Sequence, residues 1–276
     1  MQNPYSQALE FLVDAGVTIA LQDTPNNRFE NLSDFVIPST LPSQSTDFAQ
    51  GSVPNTEKHD PSTSLRSAKE DNSVGLKMHS DIIKEAEAIA YNCNTLEELK
   101  SAIQAFDGLS IKKTATQIVF ADGTPDAKIM VIGEAPGADE DRQGLPFVGV
   151  SGQLLDKIFA CIDLNRQESL YITNILNWRP PGNRTPTSEE MDIAKPFIMK
   201  HIELVNPDML VLCGGVAAQT LLDSKESISR LRGEVHDVNG RKAIATYHPA
   251  FLLRTPLQKK KVWQDMLMLQ EAMQNA

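Results

Sequence analysis

The sequence predicts an α/β fold: a three-layer α/β/α arrangement around a central four-stranded parallel sheet. Three features point there. Short apolar runs recur along the C-terminal two thirds of the chain, and each ends abruptly at Gly, Asn or His-Pro. A stretch with helical spacing follows each run, and strands alternating with helices make a parallel sheet covered on both faces. The residues that are not core formers collect just after the runs, where open parallel sheets bind ligands.

Residues 6–20, SQALEFLVDAGVTIA, have apolar residues at helical spacing and predict a short helix within 1–20. Residues 21–75 are rich in Ser, Thr, Pro and Asn and poor in apolar residues, so they read as a disordered linker. Residues 76–276 carry the α/β pattern. HSDIIKEAEAIAYNCNTLEELKSAIQAF predicts one or two helices, and DAKIMVIG (126–133) a buried strand. SGQLLDKIFACIDL predicts an amphipathic helix and LYITNIL (170–176) a second strand. PTSEEMDIAKPFIMKHIELV predicts a helix, with Thr187 as N-cap and Glu190 completing a capping box. DMLVLCGG (208–215) is the third strand, with a short helix in VAAQTLLD. RKAIATYH (241–248) is the fourth, and KKKVWQDMLMLQEAM closes the domain as a helix.

Charge must be read by region. The formal net charge is −10, the wrong sign for a nucleic-acid partner if it were spread evenly. Residues 228–262 hold eight bases (Arg230, Arg232, Arg241, Lys242, Arg254, Lys259, Lys260 and Lys261) against Glu234 and Asp237. The C-terminal quarter is therefore a patch able to meet phosphates. Cys93, Cys161 and Cys213 are too few and too scattered for a disulfide framework or a zinc site. No basic-then-apolar leader and no membrane-length run is present, so a cytoplasmic protein without membrane contact is expected.

The residues after the runs suggest chemistry. GEAPGADEDRQGLPFVG (133–149) leads from a strand into acids and then a ring. It lacks the Lys of a P-loop and the G-x-G-x-x-G spacing, and its acids would repel a free phosphate. They suit a site where positive charge develops. Phe147, between Pro146 and a Gly-rich segment, is placed to hold an extruded base. Asn174 interrupts an apolar strand, and its carboxamide can complement adjacent carbonyl and N–H groups such as those of uracil. His248 opens HPAFLLR, where paired leucines beside Arg254 suggest a wedge with a phosphate contact.

GEAPGADEDRQGLPFVG, YITNIL, RPPGNRTPT and HPAFLLR, in this order, resemble the uracil-DNA glycosylases of the iron–sulfur type, family 4, over roughly residues 80–270. The resemblance implies a monofunctional hydrolase that removes flipped-out uracil from double- and single-stranded DNA as a monomer. It assigns Gly133 and Ala135 to the uracil pocket with Phe147 as stacking ring and Asn174 as reader. His248 contacts the uracil carbonyl, and Glu134 or Glu140 stabilises the sugar cation or orients water. Ser151, Leu252, Leu253 and Arg254 fall in DNA-clamping loops. Ala135 stands where another glycosylase class has a water-activating Asp. The family's four cluster cysteines align with Phe106, Leu109, Trp178 and Ala194, so no iron–sulfur cluster and no other metal or cofactor is expected. A non-catalytic damage-binding protein and a nucleotide-processing enzyme on the same sheet are the competing expectations.

Overall fold

The computed structural model describes residues 67–274, with side chains from residue 79 onward. The helix expected at 6–20 and most of the 21–75 linker lie outside the described residues. The first described helix, α1, runs Ser67–Tyr91, so its first turns fall in the stretch read as linker. Leu96–Ala105 (α2) follows, capped by Thr95, whose hydroxyl accepts the Glu98 amide at 3.1 Å.

A six-stranded sheet forms the middle layer. Its strands are β1 (Ala121–Gly123), β2 (Ile129–Gly133), β3 (Leu170–Asn174), β4 (Met209–Cys213), β5 (Val235–Val238) and β6 (Arg241–Thr246). The order is β1-β3-β2-β4-β6-β5. The four central strands pair in parallel and coincide with the four expected from sequence. The count of four is corrected to six, because β1 and β5 each add an antiparallel edge. Neither shows a strand pattern: β1 is three half-buried residues, and β5 is mostly exposed. A hairpin signal was present for β5. Asn239-Gly240 joins it to β6 with both residues at positive φ, 52° and 81°.

β2, β3 and β4 are buried along their whole length, which is why they read as unbroken apolar runs. Alternate residues feed two cores. Met130 and Ile132 pack in one, with Leu99 of α2 and Phe197 and Ile198 of α5 (Ser188–Val205). Ile129 and Val131 pack in the other, with Phe159 of α4 (Val150–Ala160) and Met266 of α9 (Lys259–Gln274). Thr187 and Glu190 form the expected capping box on α5, through bonds of 3.2 and 2.9 Å. Among the described residues no helix is long and apolar enough to cross a membrane.

β2 lies between β3 and β4, and the chain leaves it to one side and later returns to the other. That makes the carboxyl end of β2 the switch point where such sheets open a crevice.

Candidate active site

The crevice is built on a missing side chain. Gly133 pairs with Asn174 where β2 and β3 end. A Cβ on Gly133 would meet Asn174 Oδ1 at 2.3 Å and the Phe147 ring at 2.6 Å. Only glycine lets the carboxamide and the ring converge over the strand end.

Above them is a cavity of about 440 Å³, a size suited to a small ligand. Glu134, Ala135, Glu140, Phe147, Ser151, Asn174, His248 and Arg254 line it, so eight of the eleven sequence-predicted site residues meet in one place. Asn174 is 2% exposed, yet among the described residues nothing bonds to its carboxamide. Its polar atoms are not sealed from the cavity they line, so a ligand entering there can bond to them. The Phe147 ring stands 5.5 Å from the His248 ring, tilted by 30°. Phe147 adopts φ 52°, a left-handed conformation rare for an aromatic residue.

His248 caps α8 (Pro249–Arg254): its Nδ1 accepts the Ala250 amide at 3.1 Å. In the neutral ring the proton is therefore on Nε2. Burial, with help from Arg254 and against the pull of Glu140, lowers the His248 pKa to about 4. The group is a neutral donor at physiological pH. Gly214, whose φ is 100°, presses its α-carbon side against His248 Cβ.

The acids separate into different jobs. Glu140 Oε1 accepts the amides of Val148 and Gly149, both at 3.0 Å, and Oε2 accepts that of Gly137 at 3.1 Å. Glu140 thus pins the two loops around the pocket that it also lines. Asp141 accepts from the Thr116 amide and hydroxyl, and Asp139 pairs with Arg142. Glu134 differs: among the described residues nothing donates to its carboxylate, and burial alone raises its pKa. Glu134 therefore lines the cavity as a half-buried carboxylate with no donor among the described residues.

Three predicted residues stand outside the cavity. Gly133 lies beneath it, as the floor. Leu252 is 0% exposed in the second core, so its assignment as a wedge is corrected; the six-residue helix turns it inward. Leu253 is 43% exposed and remains the candidate. Sequence reasoning missed Pro180, Asn183, Arg184 and Thr185, which also line the cavity. Their signal was the position of RPPGNRTPT (179–187), separated by four residues from the end of β3. Glu190 of the α5 cap also holds Arg184 through a two-pronged pair at 2.8 and 2.6 Å.

Residues 120–267 match the family model described as the uracil DNA glycosylase superfamily. The chain belongs to that superfamily. Among curated proteins it is similar to the type-4 uracil-DNA glycosylase of Archaeoglobus fulgidus, 38% identical over 62% of this chain and 89% of that one. The type-4 uracil-DNA glycosylase of Thermotoga maritima is 42% identical over 50% and 73%. That of Pyrobaculum aerophilum is 32% identical over 63% and 92%.

The four residues expected above at the cluster-ligand positions are Phe106, Leu109, Trp178 and Ala194. They are 4, 5, 6 and 3% exposed and belong to one apolar core. Phe106 packs edge-on against Phe197 at 5.1 Å. None has a donor atom that iron accepts, so this set does not fit a four-iron cluster.

Proposed function

We propose that this chain hydrolyses the bond between uracil and deoxyribose in DNA. The observation that carries the reading is the Asn174 carboxamide, nearly buried and without a protein partner, beside an aromatic ring and a neutral imidazole. An amide in that setting suits a planar base bearing adjacent N–H and carbonyl groups.

Reaching the pocket requires the nucleotide to leave the base stack, at a cost of a few kcal/mol. Leu253 fills the space it vacates, and Arg254 meets a neighbouring phosphate. Phe147 covers the base face and Asn174 reads its edge. As the C1′–N1 bond breaks, the electron pair goes to the base and the sugar becomes cation-like. Nε2–H of His248 donates to the uracil carbonyl that takes up the negative charge. Glu134, as a carboxylate, faces the sugar cation and takes the proton of the water that adds to C1′. Burial raises its pKa, the direction that strengthens a carboxylate as a base.

The test is strand scission by alkali after incubation with a labelled duplex holding one U·G pair, with a T·G duplex as control. Scission at U alone supports the reading. Tight binding to the U·G duplex without scission favours a damage-binding protein, for which Ala135 in place of a water-activating acid is the specific argument. Turnover of free nucleotides instead supports the nucleotide-processing alternative.

We also infer that the domain needs no iron–sulfur cluster. The buried set of Phe106, Leu109, Trp178 and Ala194 fills that region with carbon, and Trp178 supplies the largest apolar area. Iron analysis of purified active protein checks this: stoichiometric iron would overturn it.

A further inference from the structure

The stacking ring sits on a backbone that does not favour it, and one side chain holds it there. Phe147 has φ 52°. Its carbonyl lies so close to α4 that a Cβ on Gly152 would be 1.8 Å from the Phe147 oxygen. Arg166, from the loop before β3, reaches back to this turn. Nη2 donates to Phe147 O at 2.8 Å, and Nη1 to Pro146 O at 3.3 Å. Nη1 also donates to Asp122 Oδ2 of β1 at 2.7 Å. Nε and Nη2 donate to Asp156 Oδ1 of α4 at 3.0 and 2.8 Å.

Those five bonds match the five N–H groups of a guanidinium. The side chain is 11% exposed, and two carboxylates on separate elements fix its plane. Lysine has three donors and no planar fork, so it cannot reproduce the set. The edge strand β1 acquires a purpose: it supplies Asp122.

We propose that Arg166 is a positioning residue for uracil excision, acting through the backbone of Phe147. The inference rests on the proposed function, in which the Phe147 ring covers the base. Arg166 touches neither base nor sugar. It locks the carbonyls of Pro146 and Phe147 so that the ring is held against Gly133 and beside His248 before DNA arrives.

The experiment is a double-mutant cycle with Arg166→Lys and Phe147→Ala, read by single-turnover excision from a uracil-containing oligonucleotide at saturating protein. Arg166→Lys keeps the charge between Asp122 and Asp156, and melting curves restrict the assay to temperatures where all four proteins are folded. In the parent background, loosening the ring slows excision about 10- to 100-fold, as small misplacements do. In the Phe147→Ala background the same change costs less than about 2-fold, because the group it positions is gone. Oligonucleotide affinity stays within about 3-fold of the parent in the parent background, since binding rests on phosphate contacts. Equal losses in both backgrounds, or no loss in the parent, overturn the proposal.

Amide hydrogen exchange over residues 144–152 gives a second reading that does not depend on catalysis. Exchange there rises at least about 10-fold in Arg166→Lys if the fork holds the turn, because local opening governs exchange. If the parent protein excises nothing, the glycosylase reading fails, and exchange alone decides the positioning claim. Unchanged exchange overturns it.

Discussion

Through Nδ1, His248 accepts the amide of Ala250 at 3.1 Å, so the helix it caps dictates which of its nitrogens carries the proton. One backbone bond thereby supplies both the start of a helix and the tautomer of a candidate catalytic group.

That relationship sets a pH profile. With a pKa of about 4, His248 stays neutral down to pH 5. Excision should show no inflection near 6.5, the value of an unperturbed imidazole. An acid limb belongs instead to Glu134, whose raised pKa means the carboxylate is lost as pH falls through a value above the ordinary 4.5. In Glu134→Gln that limb disappears along with most of the rate. Rate–pH profiles of the parent and this variant check it, and an inflection at 6.5 that persists in Glu134→Gln would exclude the neutral-donor role. His248→Ala should slow excision by about 100-fold or more, the usual cost of losing such a donor.

Glu134 and Glu140 should separate cleanly when each is changed to Gln. Glu140 accepts three amides, so replacing one of its oxygens by an NH2 group turns a donor onto a donor. Loss of stability should be about 1–3 kcal/mol, read by denaturant melts. Glu134→Gln removes a partly desolvated charge with no partner, and should leave stability unchanged or slightly raised while slowing excision. The opposite ranking would refute the division of labour.

Asn174→Ala should leave the fold nearly as stable as the parent, because the carboxamide makes no bond to the protein. Excision should drop steeply, and the loss of the reader leaves discrimination between uracil and cytosine weaker. Competition with free uracil offers a direct check: product inhibition seen in the parent should vanish in the variant.

Adjacent leucines should behave as opposites. Leu252→Ala empties core volume and should cost about 2–5 kcal/mol. Leu253→Ala should change stability by less than about 0.5 kcal/mol, as exposed positions do. It should slow excision from duplex DNA more than from single strands, where little stacking has to be broken. Equal slowing on both substrates would exclude the wedge role.

Much of this was legible in the sequence, and the misses have physical causes. The parallel core was readable because β2, β3 and β4 bury both faces and so lack polar interruptions. Asn174 stood out because it broke such a run. β1 was not readable: Ala-Asp-Gly has no period to detect, and its reason for existing is an ion pair with Arg166, 44 residues away. Leu252 and Leu253 were indistinguishable because six residues of helix are too few to set a phase from pattern alone. Glu140 looked like its neighbour Glu134 until the turn at Phe147 brought two amides onto it. Residue types are local, and the groups that satisfy them often are not.

The carbon at positions 106, 109, 178 and 194 also bears on chemical durability. Clusters are lost to oxidants and to chelators, and the fold around them suffers with them. Phenyl, indole and alkyl groups offer neither agent anything to remove. Sulfur in the two cores is shielded as well: burial raises the Cys93 thiol in the same core, and in the other core burial pushes the Cys213 thiol up to about 12, with Asp265 adding to the effect. Thiols react as thiolates, and both of these stay protonated. These residues should withstand peroxide at concentrations that destroy iron–sulfur clusters.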